Sequence, residues 1–357
     1  MNAFAAVLDA VSALQADDPQ AFRSAVSRVQ ARTFFDKAVA HRCAGMIFAA
    51  MAQYRIQDPQ TLELWRMLQG YAGMCALDSE HTQRQIDDIV EAFSERRVPH
   101  ALLKGAARLR ARDRAAQWTH MDDIDVLIPR DRGDAAVQAL LSRGYHLDCD
   151  AAKQEEYRTE HHHLAPLVPD AGGKSVELHV SLEYPPWFTT RTDWATLGEH
   201  LLPQGTLPCA FALDGFGRAL HALIHAIGLY RLRDVAVLAA EVRQSPALLQ
   251  PLNVWISSER RQSVALLGVL VLAARIARVP IEPDAQVERY LRWIMWREDA
   301  PSVFRGRMQM LDAYFSNAIS LGIPGEVEAK GMLRARRIAG RIGVAIAAAG
   351  YRALRFG

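Results

Sequence analysis

The stretch Met121-Asp122-Asp123-Ile124-Asp125-Val126-Leu127-Ile128 decides how the chain folds. Ile124 to Ile128, with Asp122 and Asp123 before it and Pro129 after it, reads as a strand. Side chains alternate across a strand, so Asp123 and Asp125 share one face while Ile124 and Val126 point into the core. Two ionised carboxylates on one face repel, and a hard cation bridged to substrate phosphates is the commonest way to make that arrangement favourable. An Asp-x-Asp alone is a short motif that a plain polar strand face also matches.

A third acid narrows the choice. Glu177 stands in Val176-Glu177-Leu178-His179-Val180, where period-two alternation puts Glu177, His179 and Ser181 on one face and Val176, Leu178, Val180 and Leu182 on the other. A strand packed on one side and working on the other has this pattern. His163 to Val168 and Val176 to Leu182 flank Asp170-Ala171-Gly172-Gly173, a hairpin signal. Upstream, His100-Ala101-Leu102-Leu103 reads as a short strand that passes through Lys104 and Gly105 into a helix from Ala106 to Arg112. At such a junction backbone N–H groups lack partners and phosphate oxygens are welcome. No Gly-x-x-x-x-Gly-Lys-Ser/Thr occurs, so a P-loop enzyme is not expected. After Pro129, Asp131 is placed to cap a helix that runs to Arg143 and ends at Gly144, with a strand at Tyr145 to Leu147 beyond it.

Helical periodicity governs both flanks. Phe4, Val7, Leu8, Val11 and Leu14 open a helical region that reaches about Glu95, with Pro19 and Pro59 as breaks. Gly217 to Ala240, Arg260 to Arg278, Ala285 to Trp296, Arg305 to Ile319 and the tail from Lys330 also read as helices. The expected class is α+β, with three parts. These are a helical region over 1–97, an α/β core with a small mixed sheet over 98–184, and a helical domain with a basic tail over 185–357.

The 357 residues carry 42 Lys and Arg against 40 Asp and Glu, but seven of the basic residues lie at or beyond Lys330, where no acid occurs. The first 329 residues are therefore mildly acidic, which argues against a large polynucleotide partner for the working domain. Cys43, Cys75, Cys149 and Cys209 form no Cys-x-x-Cys pair, and the start lacks a basic region and carries Asp9. A cytoplasmic chain with reduced thiols is expected. The longest apolar run, Val264 to Ala274, is too short to span a bilayer, so no membrane insertion is expected.

In order, Leu102-Leu103-Lys104-Gly105-Ala106-Ala107, the Asp-x-Asp strand, Gly144-Tyr145 and Val176-Glu177-Leu178-His179 resemble the uncharacterised nucleotidyltransferase family of the DNA polymerase β-like superfamily. His221, His225, Arg231, Leu232, Arg233 and Asp234 resemble that family's downstream helix, and His41 matches another family position; the likeness covers about residues 35 to 240. The resemblance implies a metal-dependent nucleotidyltransferase. In it Asp123 and Asp125 bind two Mg²⁺, with Mn²⁺ the substitute, and Glu177 is the third metal-binding and catalytic carboxylate. The co-substrate is an NTP, expected to be ATP, and Lys104, Gly105, Ala106, Arg108, His179, His225 and Arg231 are the expected nucleotide contacts. The chain departs from the pattern where Gly-Ser is replaced by Gly105-Ala106, and where Thr119 and His120 stand in place of an arginine; Arg108, Arg110, Arg112 and Arg114 are the nearby substitutes.

The expected reaction moves an NMP to a hydroxyl of a peptide, protein or small molecule, with natural-product peptides as a context that the resemblance suggests. A toxin-like enzyme acting on tRNA is the alternative, and the acidic body does not favour it. A nucleotide-binding protein that has lost turnover is the non-enzymatic alternative. His161, His162 and His163 are consecutive and would point to alternate faces of a strand, so a polar substrate contact through His162 or His163 is preferred to a zinc site. His221 and His225 share a helix face towards nucleotide or acceptor, with Asp234 expected to pair with Arg231 or Arg233. The basic tail is expected to pack on the acidic body or a partner.

Overall fold

A computed structural model describes residues 2–182, 188, 191–205, 209–229, 231–259 and 263–299. Five helices open the chain: α1 (Ala3–Gln15), α2 (Pro19–Ser27), α3 (Ala31–Ala40), α4 (Ala44–Gln53) and α5 (Leu62–Glu95). Pro19 breaks the chain as its fixed φ dictates, sitting at the start of α2 behind Asp18, whose carboxylate accepts from the Ala21 N–H. The mixed region follows as β1 (His100–Leu102), α6 (Lys104–Arg110), α7 (Arg114–Gln117), β2 (Asp123–Leu127), α8 (Gly133–Leu141), β3 (Tyr145–Leu147), α9 (Ala151–Glu160), β4 (Leu167–Pro169), β5 (Ser175–His179), β6 (Leu201–Pro203) and β7 (Ala210–Leu213). The last described helices are α10 (Gly215–Leu229), α11 (Leu232–Gln244), α12 (Leu249–Ser258), α13 (Ser263–Ala277) and α14 (Ala285–Asp299).

Among the described residues the strands form one mixed sheet in the order β3-β4-β5-β2-β1-β7-β6. The two acid-bearing strands are central and parallel, with Asp123 opposite Ser175, Asp125 opposite Glu177 and Leu127 opposite His179. One face of these strands carries Ile124, Val126, Ile128, Val176, Leu178 and Val180, all buried against Ile86, Ile89 and Phe93 of α5 and Ala136 and Leu140 of α8. The other face has a few apolar residues, Leu127 among them, in a second core built from both flanks of the chain. Helix α1 packs there on α11, α13 and α14, so the first and last described helices share one interior. Helix α5, about 50 Å long at 1.5 Å per residue, joins the two cores, with Leu64 and Leu68 in one and Ile86 to Phe93 in the other.

The α+β class stands, and the strands expected at His100, Ile124, Tyr145 and the hairpin are present. Four local readings are corrected. The chain makes a 3₁₀ turn over Arg130–Arg132, whose Arg132 N–H bonds the Pro129 carbonyl, so α8 starts at Gly133 and Asp131 caps nothing. Helix α8 also ends at Leu141, and Gly144 (φ +79°) then turns the chain into β3. The single helix expected over Gly217 to Ala240 is two, because Arg231 is extended (φ −84°, ψ 122°) between α10 and α11. The sheet extends past residue 184, since β7 pairs in parallel with β1 and β6 continues from β7. Helix Arg305 to Ile319 and the tail lie outside the described residues. No described helix is long and apolar enough to cross a membrane.

Candidate functional site

Alternation and register together build the site. Because Asp125 and Glu177 are directly opposite on parallel strands, their side chains leave the sheet on the same side, with Asp123 and His179 one pleat away. The ligand atoms of Asp125, Glu177 and His179 all lie within 4.8 Å of one another. Asp125 is almost wholly buried, and its Oδ1 accepts from Lys104 Nζ at 2.8 Å and pairs with His179 Nε2 at 2.7 Å. His179 Nε2 is also 3.6 Å from Glu177 Oε2.

Lys104, which reaches Asp125, has a left-handed backbone (φ +45°), a conformation that costs a residue with a Cβ of the order of 1 kcal/mol. Gly105 beside it packs closely on a methionine: a Cβ there would sit 2.6 Å from Met121 Sδ, and that side chain would have to shift. Ala106 is buried in the core beneath the sheet.

The charges on these groups are set by one another. Burial, then repulsion from Asp125, raises Asp123 to about 6. Burial would raise Asp125 too, but the Lys104 ammonium and the His179 imidazole outweigh it and hold Asp125 well below the usual carboxylate range. Glu177 is likewise lowered, burial being outweighed by His179 and His163. Burial would lower Lys104 and His179, yet both are raised by their contacts with the acids. Asp125, Glu177 and His179, with Asp123 on the same face, make a donor set of carboxylates and an imidazole. The residues present fit a divalent cation.

The three consecutive histidines do not alternate across a strand. His163 makes only an isolated bridge to His179, and the rings bunch together: His162 to His163 at 4.6 Å, His162 to His179 at 5.0 Å, and Tyr157 to His161 at 4.4 Å. His163 Nδ1 donates to the Leu164 carbonyl at 2.8 Å, leaving Nε2 3.9 Å from Glu177 Oε2. His162 is pushed down to about 2 by burial and then by its histidine neighbours.

Beside Lys104 opens a cleft of about 820 Å³ between α6 and α7 on one wall and β7, α10 and α11 on the other. Arg108 lines it, tied to Asp113 by a 2.8 Å bond. His221 and His225 line the far wall, both lowered first by burial. His225 Nδ1 is 2.8 Å from Asp234 Oδ2, and Asp234 Oδ1 accepts from Arg233 at 3.0 Å, so of the two arginines expected for Asp234 it is Arg233 that pairs with it. Arg231 lies at the α10–α11 break.

The acids, Lys104 and His179 thus meet, and His221, His225 and Arg108 line the adjoining cleft. Reading the sequence missed the Lys104–Asp125 pair, the closeness of His163 to Glu177, and Arg42. Arg42 donates to the His120 carbonyl at 3.0 Å and pairs with Asp122, beside the acidic strand where an arginine was absent from the local sequence. A side chain nearly 80 residues away leaves no local signal. Asp122 itself precedes β2 and is also 3.0 Å from His120 Nε2.

Nothing among curated proteins or solved structures matches the chain. A family model described as "Uncharacterised nucleotidyltransferase" matches residues 27–272, which span the acidic strands, the cleft and most of the helices around them. With well over half of its length in that match, the chain belongs to the uncharacterised nucleotidyltransferase family.

Proposed function

We propose that the protein moves a nucleoside monophosphate from an NTP to a hydroxyl of a peptide, protein or small-molecule acceptor, with the help of a divalent cation. The observation that carries this reading is the cross-strand pair Asp125 and Glu177, with Asp123 on the same face, in a chain of a nucleotidyltransferase family. Asp123, Asp125 and Glu177 would hold the cation, with His179 beside them; when bound, it neutralises the triphosphate and lowers the pKa of the acceptor hydroxyl.

In the transfer, the acceptor oxygen bonds to the α-phosphorus as the bond to the bridging oxygen breaks. The electron pair leaves with pyrophosphate. The acceptor's proton passes to the Glu177 carboxylate, whose Oε2 is 3.9 Å from His163 Nε2 and 3.6 Å from His179 Nε2. Lys104, whose ammonium is 2.8 Å from Asp125 Oδ1, would be free to pair with the phosphates where a cation neutralised that carboxylate. Catalysis of this kind rests on positioning and charge neutralisation.

The cleft supports an acceptor smaller than a polynucleotide. Its walls carry Arg108, Arg110, Arg218 and Arg233 against Asp78, Asp113, Asp234 and Glu241, a mixed lining in place of a basic track.

The test is pyrophosphate release from each of the four NTPs with Mg²⁺, with and without candidate peptide, small-molecule and tRNA acceptors. The expected outcome is acceptor-dependent release with at least one NTP that falls by about 100-fold or more in Asp123→Asn/Asp125→Asn. Release that survives that substitution would refute the reading.

A further inference from the structure

Outside the acidic cluster, the turn before α4 that carries Arg42 lies against the start of α11, which carries Arg231 and Arg233. Arg42 lies between α3 and α4 with a left-handed backbone (φ +58°), which swings its guanidinium to His120 and Asp122. Next to it, the His41 carbonyl accepts the Arg233 N–H at 3.2 Å and so fastens this corner to the first turn of α11. Helix α11 begins at Leu232 with no side-chain cap, so the positive end of its dipole adds to the arginines.

The charges there do not balance. Arg42 has Asp122, and Arg233 has Asp234, which His225 shares. Arg231 has no side-chain partner among the described residues, although it is partly buried. Its pKa is lowered, first by burial and then by Arg42 and Arg233. Asp234 and Asp122 offset these effects only in part, so a further anion would be favourable there. Planar guanidinium groups grip phosphate oxygens in pairs, and here two carboxylates, Asp122 and Asp234, stand against three arginines. The corner also adjoins the acidic strand, since Asp122, which pairs with Arg42, is the residue before Asp123.

We propose that Arg42, Arg231 and Arg233 form an anion site for the polyphosphate end of the nucleotide, held by the two helical arms and not by the strand-to-helix loop. The site rests on the nucleotidyl-transfer reading for its ligand, and its position gives it the leaving pyrophosphate. It takes the place of the phosphate-binding serine and the nearby arginine that the local sequence lacks.

The test uses inorganic tripolyphosphate as probe, titrated calorimetrically into the full chain in the presence of a chelator, so that the acids cannot contribute through a cation. The wild type and Asp123→Asn/Asp125→Asn are expected to bind it, and Arg231→Gln to bind roughly tenfold or more weakly. Arg231→Lys, which keeps the charge and loses the fork, is expected to fall between them. Should the chain release no pyrophosphate from any NTP, this result still stands or falls by itself. With an active enzyme, Arg231→Gln is expected to raise the KM for NTP by a similar factor with a smaller change in kcat. Equal affinity for tripolyphosphate in the wild type and Arg231→Gln, or no binding by the wild type, overturns the proposal.

Discussion

At the scale of single residues, the same kind of side chain serves opposite ends according to what it touches. Asp234 is fully buried between His225 and Arg233, and these two outweigh burial and hold its carboxyl well below the usual range. Removing one partner of a buried charged pair leaves the other uncompensated. Asp234→Ala is expected to lower stability by about 3 kcal/mol or more, read from the urea midpoint. Arg231 is the contrast, since it has no side-chain partner among the described residues, and Arg231→Gln is expected to stay within about 0.5 kcal/mol of wild type. Equal losses in the two variants would mean that the Asp234 network is not the tie described here.

At the scale of elements, local patterns announced the acidic strands well. Period two in Asp-Ile-Asp-Val-Leu and in Val-Glu-Leu-His names both the buried and the working face, and Gly172-Gly173 names the turn of the hairpin. The contacts between elements were not legible. The α10–α11 break brings Asp234 to His225, nine residues earlier, whereas nine residues of unbroken helix would separate them by about 13 Å. The strands β6 and β7 are three and four residues long and have little alternation to read; pairing with β1 makes β7 a strand. Arg42 and Lys104 reach the acidic strand through left-handed backbones at residues that carry a Cβ, a conformation that composition does not signal. The three histidines bunch because their segment is irregular, so strand alternation was the wrong rule there.

At the scale of the whole molecule, a shared interior binds N-terminal and C-terminal helices around a sheet whose polar face holds many titratable groups. His100, His162, His163, His221 and His225 all have lowered pKa values, each chiefly from burial. A histidine kept neutral in the fold is charged in the unfolded chain below about 6.5, so its contribution is complete above that pH and is lost as pH falls towards the folded value. For His162 that window runs from about 6.5 down to about 2. Each such group costs up to about 1.4 kcal/mol per pH unit within its window. Asp123 and His179, both raised, act in the opposite sense, and they are fewer. Urea unfolding at pH 7.5, 6.5 and 5.5 is expected to show stability falling between the last two by 1 kcal/mol or more, of the order that one neutral histidine sets. A flat or rising profile would show that these histidines are not held neutral.

The central claim is that Asp125 and Glu177, opposite one another on parallel strands, hold a divalent cation for the nucleotide. The measurement that tests it most directly is a titration of Mn²⁺, followed by its paramagnetic resonance signal, into the chain with a non-hydrolysable ATP analogue. It is made on wild type, Asp125→Asn and Glu177→Gln. The account expects saturable binding in the wild type, weakened roughly tenfold or more in each variant, as loss of a charged ligand dictates. Binding of equal strength in all three would contradict it.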